Sequence, residues 1–253
     1  MSKNVKLNNK FENLQSKVSK NDSNLFLESI VEEIFNSSRF PKKFCPACEN
    51  YTELFLPFNG RKRVSCPECE SLERHRFLYY FLKYKTSIFS KKINFLDLSS
   101  ESPIKNNLTK NINYYELIGN NKDNFFKSKK LPFKNNSFDV IYSYYVFDNN
   151  YYDSSILKEI SRVLKSIKES FFILYVVDLN NAHEDVDINN HEKIYGYNFV
   201  RMLNESGLNA KLYSISSLID DVTIQKYGLS NHDHLFICTK KNIKSSNKRF
   251  RQV

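Results

Sequence analysis

The chain has 253 residues, enough for one ordinary domain with a small accessory module, and its 41% hydrophobic and 15% aromatic content predicts a packed core rather than a disordered chain. No run of 18 apolar residues occurs, and the lysine-containing start has no apolar stretch behind it, so neither a helical membrane span nor a secretory signal is expected and a cytoplasmic protein is. The net charge of +10 invites a nucleic-acid reading, yet six basic and no acidic residues fall between Lys240 and Arg251, while residues 91–239 hold 17 basic against 18 acidic side chains. Clustered phosphate contacts are therefore not expected in that region.

In chain order, residues 1–43 form a polar segment followed by a helix in "SNLFLESIVEEIF", where Leu25, Leu27, Ile30, Val31, Ile34 and Phe35 follow a helical period behind Ser23 or Asn24. Residues 44–90 comprise a Cys-, Pro- and Glu-rich stretch without periodicity and then "SLERHRFLYYFLKYK", a helix capped by Ser71 with Leu72, Leu78 and Leu82 inward. Residues 91–241 alternate: strand "INFLDLS", short helix "SPIKNNLT", strands "INYYELIG" and "SFDVIYSYYVF", helix "SSILKEISRVLKS", strand "ESFFILYVVDL", a helix ending on Gly207, strand "NAKLYSISS" and strand "HLFICTKK". This alternation predicts an α/β fold, a mostly parallel sheet with helices on both faces. Residues 242–253 read as a disordered basic tail.

Four of the five cysteines stand as Cys45-x2-Cys48 and Cys66-x2-Cys69, with Pro46 and Pro67 inside the pairs. Two such knuckles offer four thiolates in a tetrahedron, the ligand set of structural zinc, and four protein ligands leave no open position for substrate. Cys238, alone on an apolar strand, reads as core.

The cysteine pairs running into "SLERHRFL", with "FLDLSSESPI", "LPFKNNSFDVIYSYYVFDN", "EISRVLKSIKESFFILYVV" and "HEKIYGYNFVRMLNESGL", resemble bacterial class I S-adenosylmethionine-dependent methyltransferases that carry a Cys-rich module ahead of a Rossmann-like catalytic domain. The resemblance covers residues 44 to about 240. It implies that adenosylmethionine lies across the carboxyl ends of the first strands. On the family's L-D-L-G-x-G-like turn fall Asp97, Ser99 and Glu101, with Ser99 and Glu101 where glycines often stand. Because the whole chain holds only 5 Gly and 3 Ala against 31 Asn and 29 Lys, that absence carries less weight than usual. Glu101 would pair with the cofactor's ammonium and serine hydroxyls with its carboxylate. The acidic residue expected at the ribose is Glu116 or Asp123, and Asp148 with Asn149 occupies the family's Glu-His pair after the third strand.

The loop "DLNNAHEDVDINNHEKIYG" contains His191, the preferred general base, with Lys193, ahead of Tyr195 and Gly196. "NHDHLFI" offers His232, Asp233 and His234 at the last strand, where a capping Asp233 accounts for the pattern better than a metal. Methyl transfer to a small hydroxylated or amino acceptor, such as a sugar or nucleotide-sugar, is the first expectation. A methyltransferase-fold binding module without turnover and an RNA methyltransferase are the alternatives.

Overall fold

The computed structural model describes residues 42–99, 103–110, 112–118, 128–144, 154–176, 186–188, 192–194, 197–231 and 233–241. The predicted N-terminal helix and the basic tail lie outside them. The chain divides into two compact units, one reaching to Tyr80 and including Asp221–Leu229, the other formed by Phe81–Asp220 and the chain from Ser230 onward.

The first unit opens with two small hairpins. Strand β1 (Lys43–Cys45) pairs antiparallel with β2 (Asn50–Thr52), and β3 (Leu56–Phe58) with β4 (Arg61–Ser65). Between β3 and β4 the chain reverses in two residues, Asn59 and Gly60, both at positive φ (49° and 73°), the turn whose twist suits adjacent strands. Helix α1 (Glu73–Tyr80) follows and buries His75, Arg76, Phe77, Leu78 and Tyr79. Phe55, Leu56, Val64 and Leu72 are also buried in this unit, as are Ile224 and Leu229 of the distant segment.

In the second unit one π-helical turn (Phe81–Lys85) and a 3-10 turn (Ile88–Ser90) precede the sheet. Its elements are β5 (Asn94–Asp97), α2 (Lys105–Thr109), β6 (Tyr114–Leu117), β7 (Val140–Tyr144), α3 (Ser154–Val163), β8 (Phe171–Val176), a separate hairpin of β9 (Val186–Ile188) and β10 (Glu192–Ile194), then α4 (Tyr197–Glu205), β11 (Leu208–Ser214) and α5 (Ile215–Leu218). Helix α6 (Asp221–Tyr227) belongs to the first unit, and β12 (His234–Lys240) completes the sheet.

The six strands lie in the order β11-β12-β8-β7-β5-β6. Strands β6, β5, β7 and β8 are mutually parallel, and β12 runs antiparallel to both β8 and β11. This is a mixed, Rossmann-like α/β sheet. All six residues of β8 are buried, which explains its unbroken apolar run "FFILYV", since a central strand is covered on both faces. Helix α3 presents Ile156, Leu157, Ile160 and Val163 to one core shared with Leu96, Phe172 and Phe236. Gly207, at φ 86°, ends α4 in the left-handed conformation, and a Cβ there would come within 3.1 Å of Ser161 Oγ.

The strand order fixes where a ligand belongs. From β5 the chain moves to β6 on one side and then to β7 on the other, so the order reverses at β5. A crevice opens at the carboxyl ends of strands flanking such a reversal. Asp97 ends β5 and Tyr144 ends β7, so the turn after Asp97 stands at that point.

Candidate functional sites

Each cysteine pair sits in a tight turn closed the same way. Glu49 N donates to Cys45 O (2.8 Å) and Glu70 N to Cys66 O (2.9 Å), with both glutamates at positive φ (61° and 59°). Two equivalent knuckles therefore present two sulfurs each. The four Sγ atoms lie within 4.8 Å of one another, Cys45 and Cys69 at 3.7 Å and Cys48 and Cys66 at 3.9 Å. Those separations are too long for disulfides of about 2.05 Å. They match the roughly 3.8 Å between ligands of a tetrahedral ion with metal–sulfur bonds of about 2.3 Å. Hydrogen bonds with Cys48, Cys66 and Cys69 draw the Cys45 thiol far below its ordinary range, and contacts with Cys45 and Cys48 push Cys66 far above it. So crowded a set loses all its protons only against a cation.

Around the sulfurs stands a ring of polar contacts from "SLERHR". Ser71 Oγ lies 3.3 Å from Cys45 Sγ and 3.1 Å from Cys69 Sγ. The hydroxyl read from sequence as a helix cap is thus turned toward the sulfurs, and the N–H of Leu72 is taken by His75 Nδ1 at 3.2 Å. Burial, with Arg74 and Arg76 nearby, lowers the His75 pKa well below its usual value and keeps the imidazole neutral, as an accepting nitrogen requires. Ser71 O accepts from Cys66 N (3.0 Å) and from Arg76 Nη1 (2.6 Å). Arg76 is fully buried and lies 3.8 Å from the centroid of the Phe55 ring. It donates further to Val64 O (2.8 Å), Tyr227 O (2.8 Å) and Gly228 O (2.7 Å).

At the strand-order reversal, the Asp97 carboxylate is fully buried. Its Oδ1 accepts from Ser99 N (2.9 Å) and Ser99 Oγ (2.5 Å), and its Oδ2 from the Tyr115 hydroxyl (2.7 Å). Ser99 is not among the residues at positive φ. The turn is shaped by an aspartate side chain, and its backbone asks for no glycine at that place. Asp97 and Ser99 are thus fastened to each other without a glycine between or at them. Glu116 lies one residue inside the end of β6 and accepts from the Tyr114 hydroxyl at 2.5 Å. Sequence reasoning missed Tyr115, although its position on the second strand was visible.

Glu101, Asp123, Asp148, His191 and His232 lie outside the described residues. On either side of His191 in sequence, Val186–Ile188 and Glu192–Ile194 pair antiparallel, with Glu192 opposite Ile188. Buried Asp233 accepts from the Tyr175 hydroxyl and, through its carbonyl, from Ile215 N, a structural use consistent with capping. The stretch "LPF...SFDVI...EISRVLK" forms a clamp at the opposite, amino edge of the sheet. Asp139 Oδ2 accepts from Asn94 N and Lys165 Nζ, while Arg162 joins Glu159, Phe133 O and Leu131 O.

A family model described as "Methyltransferase domain" matches residues 117–168, about a fifth of the chain. No curated protein matches the sequence. Among solved structures, an S-adenosylmethionine-dependent methyltransferase from Clostridium acetobutylicum is similar at 14% identity and a TM-score of 0.41, covering 66% of this chain and 98% of its own. A second such enzyme, from Aquifex aeolicus, is similar at 12% identity and a TM-score of 0.40, covering 59% and 84%.

Proposed function

We propose that the protein transfers a methyl group from S-adenosylmethionine to a small hydroxylated or amino acceptor, a sugar or nucleotide-sugar being the favoured class, and that the four cysteines hold one structural zinc ion. The observation that carries the first part is the Asp97–Ser99 turn at the reversal of strand order, where an open sheet binds its ligand. Bound there, adenosylmethionine would supply an electrophilic methyl group. The protein's part is positioning: Asp97 and Ser99 shape the turn, Glu101 meets the ammonium and Glu116 stands for the ribose. His191 serves as general base, needed where the acceptor is a hydroxyl or a protonated amine, and Asp148 is the second candidate catalytic residue.

A binding module without turnover is the second reading, favoured by Glu116 being hydrogen-bonded to Tyr114 on the edge strand. An RNA methyltransferase is disfavoured by the near-neutral charge of residues 91–239. Incubation with methyl-labelled adenosylmethionine and a panel of sugars, nucleotide-sugars and amines tests the proposal. Label in the small-molecule fraction supports it, label in added RNA supports the RNA reading, and bound cofactor without transfer supports the binding module.

A further inference from the structure

We propose that metal loading of the tetracysteine centre docks the segment Asp221–Leu229 onto the cysteine module, with Arg76 as the residue that couples the two. The inference rests on the zinc reading above and adds a consequence to it. Arg76 has no exposed surface, and its four hydrogen bonds all end on backbone carbonyls: Val64, Ser71, Tyr227 and Gly228. Carbonyl dipoles solvate a guanidinium but do not neutralise it, and the charges that face Arg76 are Glu73 on its own helix and the cysteine sulfurs. Four thiolates with one divalent ion carry a net charge of −2, and Ser71 joins that centre to Arg76. Its hydroxyl lies against Cys45 and Cys69, and its carbonyl accepts from Arg76. Without the ion nothing draws the four sulfurs together, and the knuckle geometry that sets Ser71 against both the sulfurs and Arg76 is lost.

Apart from Arg76, the buried side chains of Ile224 and Leu229 hold the segment. Helix α6 spans seven residues, too few to persist alone, and Val222 is 76% exposed. Besides the Tyr80 ring, 5.5 Å from that of Tyr227, its further anchors lie beside the ligands. Lys43 Nζ donates to Gln225 O (2.9 Å), the Phe44 ring lies 5.5 Å from that of Tyr227, and Lys226 sits 5.7 Å from the rings of Phe44 and Tyr51. Lys43 and Phe44 immediately precede Cys45, and Tyr51 lies opposite Phe44 in the β1–β2 hairpin. Loss of the knuckle therefore removes these clasps together with the Arg76 bonds. In the chain, Asp221–Leu229 connects α5 to β12, so the metal governs the order of a link between the last two strands.

The test is hydrogen exchange on the full chain, zinc-loaded and chelator-stripped, with zinc content measured on the same samples. Stripping should speed exchange in peptides from 221–229 by at least about tenfold, along with 45–76, while Phe171–Val176 and His234–Lys240 keep their protection. Two variants separate the link from the metal. Arg76→Lys keeps the charge but cannot reach acceptors in three segments with one nitrogen. Gly228→Ala leaves the cysteines unchanged, yet at a φ of 56° its Cβ would lie 2.5 Å from the Phe55 ring and 3.4 Å from Arg76 Nη2, so it disturbs the link and not the ligands. Zinc-loaded Gly228→Ala should bind a full equivalent and still exchange rapidly at 221–229. Protection of 221–229 that survives release of a full equivalent of zinc, or that survives in both variants, overturns this proposal alone. Protein reconstituted with excess zinc that retains none overturns the zinc reading with it.

Discussion

Tyr115 of β6 donates its hydroxyl to Oδ2 of Asp97 on β5 across 2.7 Å, tying the second strand to the turn after the first. Tyr115 also stacks on Phe95, with ring centroids 5.6 Å apart. Tyr115→Phe keeps the stack and removes the donor, so urea denaturation should show a loss of about 1.5–3 kcal/mol, the range for a hydrogen bond to a charged group. Ser99→Gly removes the hydroxyl donor but keeps the backbone N–H on Asp97. Cofactor binding should survive that change or improve, as measured by titration.

Arg162 and Glu159 meet one helical turn apart, Nε to Oε1 at 2.7 Å, and the pair holds the Leu131–Asn135 loop through Leu131 N and three acceptors on Leu131, Phe133 and Asn135. Hydrogen bonds from Arg162 hold the Glu159 carboxyl below its ordinary pKa, burial opposing them. A depressed carboxylate stabilises the fold above its unfolded value of about 4.3, and that contribution is lost as pH falls through the folded value. Glu159→Gln should therefore be less stable than the parent at pH 7 in urea titrations, with the gap closing below about pH 4.

The cysteine centre is expected to bind one equivalent of zinc, measured by elemental analysis after metal-replete purification. Ser71→Ala removes the hydroxyl beside Cys45 and Cys69 and should weaken zinc affinity by about tenfold in a competition assay, the lower end of the effect of residues that support metal ligands. Cys66→Ser should open residues 44–71 while leaving the sheet largely folded, which hydrogen exchange can resolve.

Much of the sheet was legible because its signals are local. The run "FFILYV" marks β8, the stripe Ile156, Leu157, Ile160 marks α3, and the residue ending α4 was visible in Gly207. The cysteine spacing likewise carried its own geometry. Arg76 was not legible, because its carbonyl partners lie 5, 12, 151 and 152 residues away and nothing on its own helix marks it as buried. Ser71 sits where a helix cap belongs, and only the folded knuckles turn its hydroxyl to sulfur. The short helices α5 and α6 carry too few residues for a periodic signal. The stretch that most resembles methyltransferases owes its pattern to architecture, since Asp139, Glu159, Arg162 and Lys165 fasten loops at the edge away from Asp97.

The central claim is that the serine-built turn after β5 binds adenosylmethionine. Calorimetric titration of the zinc-replete protein with adenosylmethionine or adenosylhomocysteine tests it most directly. The account predicts saturable heat with one site per chain, weakened about ten- to a hundredfold by Glu101→Ala through loss of a charge pair of about 1.5–3 kcal/mol. No heat and no thermal shift at millimolar ligand would contradict it and leave the binding-module reading in first place.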